Sequence, residues 1–119
     1  MLKQIINPDR LCKPHATYSH GVKVKGDWLL FIKGTTARDK DFNLVGKGDV
    51  EAQCRRIFEN IGIVLSEAGG TFDNVVKLTT YVRDISTFPA LQAIRREYFK
   101  ADDYPATTMV EVSRLASED

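Results

Sequence analysis

The stretch that most constrains this chain runs from Asp49 to Phe99, where helix, strand and helix signals follow one another without a linker. From Asp49, apolar residues fall at Val50, Cys54, Ile57, Phe58, Ile61, Val64, Leu65 and Ala68, a spacing that gathers them on one helical face. Gly69-Gly70 closes that helix as a C-cap pair. The segment Asp73 to Arg83, "DNVVKLTTYVR", is β-branched and aromatic and reads as a strand. Its alternation puts Val76, Leu78, Thr80 and Val82 on one face and Val75, Lys77, Thr79 and Tyr81 on the other. Neither face is wholly polar, so both are expected to be covered. "DISTFPALQAIRREYF" predicts a second helix, with Ser86 or Thr87 as cap, Pro89 in the first turn, and Phe88, Leu91, Ile94, Tyr98 and Phe99 as its stripe.

Shorter signals flank this unit. Residues Tyr18 to Lys25 alternate loosely and meet Gly26-Asp27, which predicts a hairpin with Trp28 to Lys33 as the return strand. A further short strand is expected around Phe42 to Val45, and a last one from about Ala106 to Val112. The order ββ(β)αβαβ predicts one α+β domain over residues 1–119, a mixed β-sheet with two helices packed on one face. The second face then calls for another subunit.

Seventeen basic residues against sixteen acidic ones leave a net charge of +1, with no long Lys or Arg run. That argues against a dedicated nucleic-acid or membrane-surface binder. No apolar stretch approaches the roughly 18–20 residues of a membrane span, and "MLKQIINPDR" lacks the apolar core of a signal peptide. A cytoplasmic location is the expectation. Cys12 and Cys54 form no CxxC and read as reduced thiols, Cys54 as a small buried hydrophobe in the helix stripe. His15 and His20 have no cluster of Cys or acids around them, so no metal site is expected.

Most motif-like features have plainer readings. Ser19 and His20 are strand neighbours whose side chains point to opposite faces, which is poor geometry for a nucleophile and its base. "GKGD" at 46–49 lacks the glycine spacing and the Ser or Thr of a phosphate loop. Glu111 shares a mixed face with Thr107 and Met109 and reads as a solvated or interface residue. Lys33, at the end of "LLFIK", leaves two readings open: a packed stem with its ammonium in solvent, or a cation in a cleft that binds a carboxylate or acts as a base.

Three stretches resemble one family, the Rid proteins (the YjgF group of enamine and imine deaminases). "TYSHGVKVKGDWLLFIKGTT" resembles the family's opening, a P-Y-S-Q strand, a turn and an apolar run ending in S-G-Q. "QCRRIFENIGIVLSEAGGTFDNVVKLTTYVRDISTFPALQAIRREYF" resembles its helix, double glycine, strand and second helix. "YPATTMVEVSRL" resembles its P-A-R-S-x-V-E-V-x-R-L strand. The resemblance implies a chorismate-mutase-like (Rid) α+β fold assembled as a homotrimeric barrel. Its substrate clefts lie between subunits, need no metal or cofactor, and hydrolyse enamines or imines to a carbonyl compound and ammonia.

Carried over by position, Tyr18 matches the family tyrosine and Gly34 the glycine of S-G-Q. Thr107 stands where the carboxylate-binding Arg belongs, Lys33 replaces the Ser, Thr35 the Gln, and Gln92 an Asn on the second helix. The 119 residues stop at "SRLASED", before the I-E-x-x-A strand that carries the family Glu, so no equivalent of it is named and a longer natural product is expected. Losing the Arg removes a charge-assisted contact of roughly 1.5–3 kcal/mol. The resemblance therefore implies a deaminase of altered substrate preference, with Tyr18 and Lys33 as catalytic candidates. Gly34, Thr35, Gln92, Thr107 and Met109 are the substrate-binding candidates. The competing expectation is a non-catalytic metabolite-binding homologue.

Overall fold

A computed structural model describes residues 1–119. Strands β1 (Leu2–Ile6) and β2 (Gly21–Lys25) form an antiparallel pair, with Ile5 opposite Val22. Helix α1 (Val50–Glu67) leads to β3 (Lys77–Val82), helix α2 (Phe88–Tyr98) and β4 (Ala106–Glu111). β3 and β4 pair in parallel, Leu78 opposite Thr107 and Thr80 opposite Met109. A parallel pair needs a crossover, and α2 is that crossover.

The α+β class, both helices and the last two strands match the sequence reading, while the first third does not. β2 pairs with the N-terminal segment β1, which the sequence reading passed over, and not with Trp28 to Lys33 across a Gly26-Asp27 hairpin. The 28–33 run has no strand partner within the protomer, and Trp28 is 93% and Phe31 88% exposed. The expected strand at Phe42–Val45 is reduced to one bridge, Arg38 with Leu44. Phe42 adopts φ 68°, a left-handed conformation that a continuous strand does not accommodate. In place of one mixed sheet there are two small sheets, joined by a single parallel bridge from Ser19 to Ala106.

The termini of the helices explain their bounds. The Asp49 side chain accepts from Ala52 N at 3.1 Å and caps α1. At the other end Gly69 takes φ 77°, its N–H reaches Ser66 O at 3.0 Å, and Gly70 N–H reaches Leu65 O at 2.8 Å, the paired bonds of a Schellman stop. Neither Ser86 nor Thr87 caps α2. Thr87 already has helical angles (φ −75°, ψ −6°), so the cap moves upstream to Asp84, which accepts from Ser86 N at 2.9 Å over a short 3₁₀ turn, Ile85–Thr87. Hydrogen bonding from the Ser86 side chain, and then from its backbone N–H, holds the Asp84 carboxyl below its ordinary pKa.

The core lies between the helices and one face of β3–β4. Phe58, Ile94 and Phe99 form its buried centre, with Cys54, Ile61, Phe72, Leu78 and Tyr98 packed around them. Phe58 stacks on Tyr98 with ring centroids 4.8 Å apart and meets Phe99 edge-on at 5.8 Å. The opposite face of the pair leaves Lys77, Thr79, Tyr81, Thr108 and Val110 exposed. No helix is long and apolar enough to cross a membrane.

Candidate active site

Ser19 N–H donates to Pro105 O at 3.1 Å, which holds the segment before β2 against the start of β4. That contact brings residues 15–18, from the N-terminal region, over the inner face of β4 and the side of α2. A pocket of about 330 Å³ forms there, walled by Ile85 and Phe88 and lined by His15, Tyr18, Gln92, Arg95, Thr107 and Met109. A larger depression of about 580 Å³ lies on the other side of Tyr18 and shares only that residue among the site candidates. The smaller pocket is the candidate site because four of the residues singled out in the sequence converge on it, whereas size alone favours the other.

Alternation on β4 turns Thr107 and Met109 toward this pocket and Thr108 and Val110 away from it. On α2, Gln92 is 5% exposed, and its Oε1 accepts from Thr17 N at 2.8 Å and from the Thr17 hydroxyl. Thr17 N–H can only donate, so the amide oxygen must face it. The Gln92 amide NH₂ is thereby left without a protein acceptor. Tyr18 follows directly in the chain; its hydroxyl lies 3.3 Å from His15 Nδ1, and the two rings meet edge-on at 5.7 Å.

Arg95 is the residue the sequence reading missed. It is 3% exposed, and its one side-chain hydrogen bond is from Nη2 to Thr80 Oγ1 at 2.5 Å. Desolvation lowers its pKa from the ordinary guanidinium value, and it takes part in no ion pair. The signal was present in the spacing. Arg95 stands three residues after Gln92 and four after Leu91, on the inward side of α2.

Lys33, Gly34 and Thr35 lie outside this pocket in the protomer. Lys33 is exposed and its Nζ donates to Gly34 O at 3.1 Å, while Thr35 Oγ1 donates to Lys33 O at 3.0 Å. Ser19 Oγ donates to Tyr104 O at 2.5 Å and His20 Nε2 lies 2.7 Å from Cys12 O, so the two form no nucleophile–base pair. Glu111 accepts from Ile85 N at 3.1 Å and braces the entry to α2. Nowhere do three or more His, Cys, Asp or Glu side chains converge as a metal site would require. Burial pushes the Cys54 thiol up to about 11, well out of the range of a reactive cysteine.

Fold and pocket together define a class: a small α+β protein with a polar pocket between the segment that precedes β2, a crossover helix and a parallel strand pair. A family model described as Endoribonuclease L-PSP matches residues 9–119. A RutC family protein of Pyrococcus abyssi is 36% identical over 118 residues, 99% of this chain and 91% of the relative. Another, from Saccharolobus solfataricus, is 40% identical over 114 residues, 96% and 88% of the two chains. The crystal structure of YyfB, a protein of unknown function of the conserved Rid family from Yersinia pestis, superposes with a TM-score of 0.89 at 32% identity, covering 99% of this chain and 91% of that one. RidA from an Antarctic Psychrobacter gives 0.69 at 31% identity over 95% and 89%. The chain belongs to the Rid/YjgF family.

Proposed function

We propose that this Rid protein hydrolyses small enamines or imines to a carbonyl compound and ammonia, with a substrate preference altered from that of family members that carry the Arg on the last strand. One observation carries the reading: Tyr18, Gln92, Thr107 and Met109, taken from three separate parts of the chain, line one pocket. Chemically the reaction needs little. Water adds through oxygen to the carbon of C=N while the nitrogen takes a proton; the carbinolamine then loses ammonia as its C–N bond breaks, and the hydroxyl proton departs to leave C=O. The Gln92 amide NH₂ donates to the substrate, and Thr107 Oγ1, whose own proton goes to Pro105 O at 3.1 Å, accepts from it; together they orient it. The Tyr18 hydroxyl and His15 imidazole, 3.3 Å apart, relay protons.

The reading includes a homotrimer in which substrate lies between subunits, and a cytoplasmic enzyme that uses no metal or cofactor. Exposed Trp28, Leu29 and Phe31, together with Tyr81 on the outer sheet face, support self-association. In that assembly Lys33, Gly34 and Thr35 would reach a pocket only from a neighbouring copy. RNA is not the proposed substrate, because a net charge of +1 with no basic run gives a phosphate backbone little to bind.

A second reading has its own support: no Asp or Glu lines the pocket to activate water, which favours a metabolite-binding homologue without turnover. Ammonia release from freshly generated imines, acidic and neutral, separates the two. Saturable release above the buffer rate, unaffected by chelator, supports the deaminase. Saturable binding with release at the buffer rate supports the binder.

A further inference from the structure

We propose that Arg95 is the anion anchor of the pocket, moved from the last strand to helix α2, and that the ligand it selects is a small monocarboxylate such as a 2-oxo acid or its imine. The inference rests on the reading of this pocket as the substrate site. A buried guanidinium is ordinarily matched by a carboxylate, since desolvation of an unpaired cation is costly. Arg95 has no such partner: its only side-chain bond goes to the neutral Thr80 hydroxyl. No acidic residue lines the pocket it borders. The donors turned to the same space are the Gln92 amide NH₂ and the Tyr18 hydroxyl, while the Thr107 hydroxyl gives its proton to Pro105 O at 3.1 Å. Thr107 cannot supply charge, and the protomer's own Lys33 is outside its pocket. A cation backed by neutral donors and lacking any internal counter-charge fits an anion arriving from solvent. The pocket volume of about 330 Å³ is at the small end of ligand sites, which favours a compact anion over a nucleotide.

The guanidinium also has the right shape. Thr80 Oγ1 takes one N–H of Nη2 and fixes the plane of the fork, leaving the remaining N–H groups for a two-oxygen acceptor. Thr80 and Met109 are register partners on β3 and β4, so the same strand pair positions both the anchor and the pocket wall.

Equilibrium binding without turnover tests this apart from the deaminase reading. The full chain is titrated with 2-oxobutyrate, its methyl ester and inorganic phosphate, as wild type, Arg95→Gln and Arg95→Lys. The expected result is that wild type prefers the acid to the ester by at least about tenfold, that Arg95→Gln loses about ten- to hundredfold for the acid and most of that preference, and that Arg95→Lys restores part of it. In the wild type the Arg95 Nε–H and Gln92 side-chain NMR signals shift on adding 2-oxobutyrate, a readout that stands even if Arg95→Gln does not fold. Absence of 2-oxobutyrate binding by the wild type, an unchanged acid preference in a folded Arg95→Gln, or binding of phosphate in place of the carboxylate overturns the proposal. Loss of ammonia release with carboxylate binding intact leaves the anchor standing and removes the deaminase.

Discussion

Replacing Gln92 by Leu is the sharpest test of how the pocket is built, because one side chain ties the N-terminal segment to α2. Thr17 is 2% exposed, and both its N–H and its hydroxyl point at Gln92 Oε1. Leu keeps the volume of the site and removes the acceptor. The orphaned N–H costs about 1–3 kcal/mol, and the hydroxyl adds a smaller cost where it finds no other acceptor. Added apolar burial offsets part of this, leaving a net loss of about 1.5–3 kcal/mol. Thr17→Val removes only the hydroxyl and is expected to cost about 1 kcal/mol. In a Thr17→Val background the Gln92→Leu cost falls by about 0.5–1.5 kcal/mol, the coupling expected for residues in direct contact. Urea unfolding of the four proteins measures all three quantities. A Gln92→Leu protein within 0.5 kcal/mol of wild type would refute the reasoning, since the buried Thr17 N–H would then find an acceptor other than Gln92 Oε1.

Other consequences concern the core, the thiols and the exposed apolar run. Phe58→Ala is expected to destabilise by about 3–5 kcal/mol in chemical denaturation, because it empties the centre of the aromatic cluster. Cys12, exposed, reacts with iodoacetamide near neutral pH, whereas Cys54, pushed up to about 11 by burial, stays unmodified until the protein unfolds, as peptide mapping will show. A thiol raised in the folded state contributes stability that is intact below the unfolded pKa of about 9. Stability is therefore lost as pH rises from that value toward about 11, and Cys54→Ala flattens this alkaline decline. Trp28 is the only tryptophan and is 93% exposed in the protomer. Its emission is expected to shift to shorter wavelength as concentration drives assembly, with Trp28→Ser weakening association and leaving protomer stability within about 0.5 kcal/mol.

What could be read from the sequence follows the range of the interactions involved. α1, β3, α2 and β4 were legible because the periodicity within each segment agrees with the tertiary fold, as does the Gly69-Gly70 stop of α1, although the α2 cap fell at Asp84 and not at Ser86 or Thr87. The Trp28–Lys33 strand was misread because a β-rich run becomes a strand only with a partner. β2's partner turned out to be the five residues Leu2–Ile6, distant in sequence and weakly patterned. Within the pocket, Tyr18, Gln92, Thr107 and Met109 were found through motif positions. Lys33 drew attention as a charge at the end of an apolar run, yet in the protomer it ends in solvent. The cation that did go inside, Arg95, was hidden in "AIRREYF", where two adjacent arginines look alike; only helical phase separates buried Arg95 from exposed Arg96.

The central claim is that one pocket both binds the carboxylate and hydrolyses the imine, and inhibition of ammonia release by 2-oxobutyrate tests it most directly. With 2-iminobutyrate as substrate, the account predicts competitive inhibition with an inhibition constant within about twofold of the dissociation constant measured without turnover, each step of tenfold being about 1.4 kcal/mol. Ammonia release at the buffer rate, or release that saturating 2-oxobutyrate leaves unchanged, would contradict it.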